Sequence, residues 1–226
     1  MFLKYKQVLI RISFMFIIPL ISLIHIYLNV YRDNTKEIAT PLDAIIPFVS
    51  AFVVPYIYWF LFVFVGLFYL AVTDGKKYYG LLSSIVTGML ISFIIFYFFP
   101  TTVTRPEVVG GGLLNYAMRA VYGSDNPYNC FPSIHVLNAT LVTLFLMSKE
   151  KSFQFNIWAL MSCVIINLST LFTKQHVVLD VVSGMTLSII MYIVWSNEKI
   201  WASKWFTAIE ENVTADSSTS DNPKIS

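Results

Sequence analysis

Residues 169–180 read Ser169-Thr-Leu-Phe-Thr-Lys-Gln-His-Val-Val-Leu-Asp180, a point where one apolar segment surfaces and another begins. His176 and Asp180 stand four residues apart. A helix starting near Gln175 stacks the two side chains on one face, with the carboxylate one turn deeper than the imidazole. An ionised carboxylate in an apolar segment persists where it is paired, and the partner within reach is His176. A carboxylate bonded to one ring nitrogen sets the tautomer and leaves the other nitrogen as a nucleophile or base. A plainer reading uses the same residues: Asp180 caps the helix and His176 sits among lipid headgroups. The pair alone does not choose between the two.

Outward from this stretch the chain is apolar almost everywhere. Its 226 residues are 57% hydrophobic and 12% charged, with a mean hydropathy of +0.68, a composition foreign to soluble domains. Crossing ~30 Å of hydrocarbon takes about 20 helical residues. Runs of that order recur at about 12–30, 45–72, 79–99, 132–147, 153–172 and 175–195. These runs predict an all-α polytopic membrane protein with six transmembrane helices in one bundle, over residues 1–209. Residues 197–209 read as amphipathic, and 210–226 as a polar, disordered tail. Pro19 is expected to kink the first span. The 45–72 run, broken by Pro47 and Pro55, exceeds one crossing, so its start is expected to lie along the interface. The first run lacks a small-residue cleavage site and reads as a retained span. A net charge of +2, dispersed between spans, gives nucleic acid nothing to bind. Cys130 and Cys163, one in a loop and one in an apolar segment, are expected to form no structural disulfide.

Six spans put both termini on one side. Lys4, Lys6, Arg11, Lys76, Lys77, Lys149, Lys151, Lys199, Lys204 and Lys224 fall on that side, against Arg32, Lys36, Arg105, Arg119 and Lys174 on the other. The imbalance favours cytoplasmic termini, in a multi-pass protein of the plasma membrane. The Asn212-Val213-Thr214 sequon then faces the cytosol and carries no glycan. The opposite, extracytoplasmic face receives the long loop 101–130, the entry to the fourth span and the turn between the fifth and sixth.

That face gathers Arg105, His135 and His176, each near a span end. Pro132 fits the first turn of a helix, and Ser133 then lies where unpaired backbone N–H groups point outward, a geometry suited to phosphate. Arg105 and Lys174 add positive charge, the first as a planar fork and the second as a point charge. Phosphoryl transfer through a covalent intermediate needs a nucleophile, an acid for the leaving oxygen and donors for the equatorial oxygens, and this face can supply all of them. Singly, each residue has an ordinary use. Arg105 snorkels, Lys174 binds headgroups, Ser133 starts a helix, Ser169 and Thr170 bond back to their own helix, and His135 is a satisfied polar residue. His25, alone near a span end, is left outside the site. Two histidines and one aspartate without a usable cysteine pattern make a thin zinc site.

The residues also resemble the type 2 phosphatidic acid phosphatase superfamily, whose pattern is Lys, six residues, Arg-Pro; then Pro-Ser-Gly-His; then Ser-Arg, five residues, His, three residues, Asp. Here the second element reads Pro132-Ser133-Ile134-His135 and the third Ser169-Thr170, five residues, His176, three residues, Asp180. The likeness covers roughly 45–195, and the six-span plan is similar too. It implies that His176 attacks phosphorus, Asp180 orients it and His135 protonates the leaving group. It implies further that Ser133, Arg105 and Ser169 bind phosphate oxygens, with no metal or other cofactor.

Three positions depart from the pattern. Phe98 stands where the first-element lysine would be, Thr170 replaces the third-element arginine, and Ile134 replaces the glycine. Lys174, two residues before His176, is a candidate for one missing cation, with Thr170 beside the same phosphate. The stretches Phe99-Pro-Thr-Thr-Val-Thr-Arg105-Pro106 and 169–176 are also similar to the branch containing inositol phosphorylceramide synthases, which pass a phosphoryl-linked headgroup to a lipid alcohol. The expectation is therefore an integral membrane phosphohydrolase acting on a lipid phosphate or diphosphate. A headgroup phosphotransferase is the alternative within the same chemistry, and an inactive lipid-binding or transport protein the alternative outside it.

Overall fold

Polar side chains cap the starts of three of the long helices. Asp74 alone separates α4 (Val53–Thr73) from α5 (Gly75–Phe98), and its carboxylate accepts from Lys77 N at 3.0 Å. Ser133 caps α7 (Ile134–Leu146) and Ser152 caps α8 (Phe153–Phe172) in the same way. These elements belong to a computed structural model that describes residues 2–30, 33–197 and 208. The tail at 210–226 and the amphipathic reading of 198–207 and 209 lie outside the described residues. Before α4 come α1 (Phe2–Phe14), α2 (Ile17–Leu28) and the short α3 (Pro41–Ile45); α6 (Leu113–Ser124) lies between α5 and α7, and α9 (Val178–Ser196) follows α8. Two parallel residue pairs join β1 (Lys36–Glu37) to β2 (Thr101–Thr102).

Among the described residues, five segments are long and apolar enough to cross a membrane: Tyr5–Leu28, Ser50–Thr73, Gly75–Phe98, Phe153–Phe172 and Val178–Ser196. The expected fourth of six full spans is instead the 13-residue α7. At 1.5 Å per residue it extends about 20 Å, short of a ~30 Å hydrocarbon core. The reason lies in its surroundings. α4, α5, α8 and α9 all pack on α7, and its residues 136–143 are buried throughout. A helix screened from lipid need not match the bilayer, provided that protein groups satisfy the backbone beyond its end. Asn156 does this, donating to Ser148 O at 2.9 Å and accepting from Ser148 N at 3.3 Å. Phe64 and Phe68 of α4 and Ile189 and Ile193 of α9 face outward, as lipid-facing positions should.

The first span breaks at Met15-Phe16, one turn ahead of Pro19, whose ring excludes the carbonyl four residues earlier, so the kink expected of Pro19 is there. In the run from 45, Ile46 and Val49 are extended, and a 3₁₀ turn at Ser50–Phe52 leads into α4. The loop 101–130 contains α6, which packs on the start of α4 through Met118 and Val53.

The helices alternate in direction, so one end of the bundle collects the end of α2, the starts of α4, α7 and α9, and the ends of α5 and α8. Contacts such as Val49 N to Phe172 O (2.9 Å) and Asn29 Nδ2 to Asp125 Oδ1 (2.6 Å) tie that end together. Arg11, reaching Ala71 O at 3.0 Å, marks the other.

Candidate active site

The turn between α8 and α9 is built on one carbonyl. Thr170 O accepts from both Gln175 N (3.0 Å) and His176 N (3.1 Å), while Lys174 takes a left-handed φ of +53°. α9 therefore starts at Val178, later than the spacing argument assumed, and His176 stands just ahead of it. The two readings of Asp180 prove compatible. Its Oδ2 accepts from Val177 N at 3.0 Å, a cap, and lies 3.2 Å from His176 Nδ1, a pair. Asp180 is fully buried and His176 8% exposed.

His176 Nε2 points the other way and lies 3.4 Å from His135 Nδ1. With Nδ1–H donated to Asp180, Nε2 is the lone-pair nitrogen and His135 the donor across that contact. His135 is the second residue of α7, held between the rings of Tyr56 (4.8 Å) and Trp59 (4.4 Å) of α4. The backbone bond Ser133 N to Asp180 O, 3.1 Å, locks the start of α7 to the start of α9 and so sets the spacing of the two histidines.

Both histidines open onto a cavity of about 410 Å³. Its polar wall includes Arg105, Asp125, Asn138 and Gln175. Ile18, Ile26, Phe60, Met89 and Phe96, from α2, α4 and α5, make the apolar wall. Arg105 is placed by carbonyls: Nη1 donates to Asp125 O at 2.6 Å and Nη2 to Gln175 Oε1. Its guanidinium lies 4.8 Å from the Tyr122 ring. Burial pushes the Tyr122 phenol up to about 12, so it stays protonated and donates to Thr173 O at 2.6 Å. α6 thus braces both the arginine and the turn carrying His176.

The remaining expected residues stand behind the wall. Ser133 Oγ accepts from Val136 N, a helix cap. Pro132 precedes that cap instead of occupying the first turn. Ser169 and Thr170 donate to Ile166 O (2.6 Å) and Asn167 O (2.8 Å) of their own helix. Lys174 Nζ donates to Asp43 O at 2.8 Å and is absent from the cavity lining. So His135, His176 and Arg105 meet at the cavity with Asp180 behind them, while Ser133, Ser169, Thr170 and Lys174 hold the surrounding backbone.

Sequence reasoning passed over several participants. Asp43 accepts from Val178 N at 2.7 Å and from Thr40 N and Oγ1 at 2.7 Å, clamping the start of α9 across 135 residues of chain. His25 of α2, left outside the site, lines the same cavity. Gln175 does too, and its position directly before His176 was a usable signal.

Cys130, His176 and Asp180 each place one potential ligand atom within 4.8 Å of the others. Burial, and then the Asp180 charge, push the Cys130 thiol well above its ordinary value. Asp180 Oδ2 takes two N–H groups, while its Oδ1 is buried without a partner. A thiol held protonated fits a metal poorly. Both cysteines are free, as expected.

A family model described as the PAP2 superfamily matches residues 40–194. No curated protein and no solved structure matches the chain.

Proposed function

The chain belongs to the PAP2 superfamily, and from that premise we propose that it is a membrane phosphohydrolase releasing phosphate from a lipid phosphate or diphosphate through a phosphohistidine at His176. One observation carries this reading: the continuous line Asp180 Oδ2, His176 Nδ1, His176 Nε2, His135 Nδ1, with links of 3.2 and 3.4 Å, ending at a cavity with one polar and one apolar wall. His176 Nε2 bonds to phosphorus as the bond to the leaving oxygen breaks, and His135 gives that oxygen its proton. Water then attacks phosphorus with His135 as base, the N–P bond breaks, and phosphate leaves with His176 restored. In-line displacement puts the leaving oxygen beyond phosphorus, so the 3.4 Å contact between the histidines opens as the phosphoryl group enters. Asp180 keeps the tautomer throughout, and Arg105 holds equatorial oxygens with N–H groups not committed to carbonyls.

The apolar wall from α2, α4 and α5 suits a lipid chain beside the phosphate. It would serve a lipid alcohol equally well, which favours headgroup transfer as the second reading. The charge imbalance between loops supports cytoplasmic termini and an extracytoplasmic site in the plasma membrane.

The test is release of inorganic phosphate from a panel of detergent-solubilised lipid phosphates and diphosphates, with product lipids resolved. Phosphate release is expected. A new phospholipid formed only when a lipid alcohol is added establishes transfer instead, and neither product on any lipid contradicts both readings.

A further inference from the structure

Gln175 is 2% exposed and lines the cavity beside His176. Its Oε1 is occupied by Arg105, but its Nε2 is buried without a hydrogen-bond partner. Buried amide donors are ordinarily paired, because an orphaned one keeps its full desolvation cost. Two further residues of the lining each carry a buried N–H without a partner, Arg105 at Nε and Trp59 at Nε1. The Trp59 and His135 rings are 4.4 Å apart, tilted by 51°, and Gln175 directly precedes His176. Two of the three residues with orphaned donors therefore adjoin the imidazoles between which phosphorus has to pass.

The charges around them sharpen the point. Among the lining residues the fixed charges are Arg105 and Asp125, which offset each other. An anion entering this wall has little net positive charge to meet, so neutral N–H groups on the lining residues carry more of its desolvation. Resting on the phosphohistidine reading, we propose that Gln175 is a substrate-binding residue: its Nε2–H₂ donates to a phosphoryl oxygen while its Oε1 holds Arg105 against the same group, with Arg105 Nε and Trp59 Nε1 completing a largely neutral cradle. This assigns to a side-chain amide the work that a second cation would do.

The competing role is purely positional, with Gln175 doing no more than aiming Arg105 through Oε1. The wild-type amide protons separate the two, because only a donor to phosphate is moved by it; Gln175→Glu keeps the acceptor and removes the donor while adding a charge that also disfavours an anion. Gln175→Met, neutral and similar in bulk, removes both without adding charge. The probe is inorganic phosphate, titrated by calorimetry into the full-length detergent-solubilised protein, with the Gln175 side-chain amide followed by NMR and assigned by its loss in Gln175→Met. The cradle predicts that phosphate moves the amide protons and that Gln175→Glu weakens phosphate binding by about tenfold or more, the scale of one hydrogen bond to a charged group. Amide protons unmoved at saturation, or Gln175→Glu binding within about twofold of wild type, the range of an unperturbed contact, overturns the proposal. Should Gln175→Met not fold, the wild-type amide is identified by its loss in Gln175→Glu, and its response to phosphate decides. Turnover surviving in His176→Ala overturns the phosphohistidine reading by a separate measurement.

Discussion

Gly184→Ala tests how closely the two histidines are spaced by the backbone. A Cβ at Gly184 would lie 2.7 Å from Ser133 O and 3.2 Å from Val136 Cβ. The first of these is a backbone carbonyl, with no flexible side chain to swing away. Restoring ordinary contact, about 3.4 Å, separates the starts of α7 and α9 by roughly 0.7 Å. The displacement acts where Ser133 N bonds to Asp180 O at 3.1 Å, and it is passed to His135 and His176, now 3.4 Å apart. Overpacking of this kind costs about 1–3 kcal/mol of stability. A catalytic misplacement near 1 Å costs up to about a hundredfold, so a loss of about tenfold or more in kcat is expected at 0.7 Å. The assay is phosphate release by purified protein, paired with thermal unfolding in the same detergent. Gly111→Ala is the control, since nothing lies within 4 Å of an added Cβ there, and it should match wild type in both. Wild-type kcat and stability in Gly184→Ala would refute the view that this helix crossing sets the histidine pair.

Three other outcomes are expected. Asp180→Asn keeps an oxygen for Val177 N but no longer enforces the His176 tautomer, so the protein stays folded while kcat falls by up to about 10⁴-fold, measured as phosphate release. Lys174→Ala should lower the thermal midpoint and leave KM unchanged, because its ammonium holds Asp43 O; a raised KM at constant stability would return it to the phosphate site. Burial keeps the Cys130 thiol protonated far above neutral pH, so it should resist iodoacetamide at pH 8 in the folded protein and react once unfolded, as read by mass spectrometry.

The spans were legible because each is a run of apolar residues long enough to have no other home, and His176 with Asp180 because a spacing of four brings two side chains together wherever a helix begins. What escaped was long-range. The apolar run at 132–147 carries no mark of being enclosed by four other helices, which is what lets α7 stop short. α6 lay unseen within the loop 101–130, its helix beginning at Leu113 directly after three glycines. Asp43 and Val178 meet across 135 residues, and His25 reaches the cavity from a segment outside the matched region 40–194. No local pattern encodes either contact. Lys174 shows the opposite failure: its nearness to His176 in sequence suggested an ammonium at the phosphate, whereas a left-handed residue in the turn sends it to Asp43.

The central claim is covalent chemistry at His176. The most direct measurement is a brief incubation with a ³²P-labelled lipid phosphate, followed by quenching in base and peptide mapping. A base-stable, acid-labile label on the peptide carrying His176, absent from His176→Ala, is the predicted result. Turnover with no labelled peptide under any quench, or undiminished turnover in His176→Ala, would contradict it.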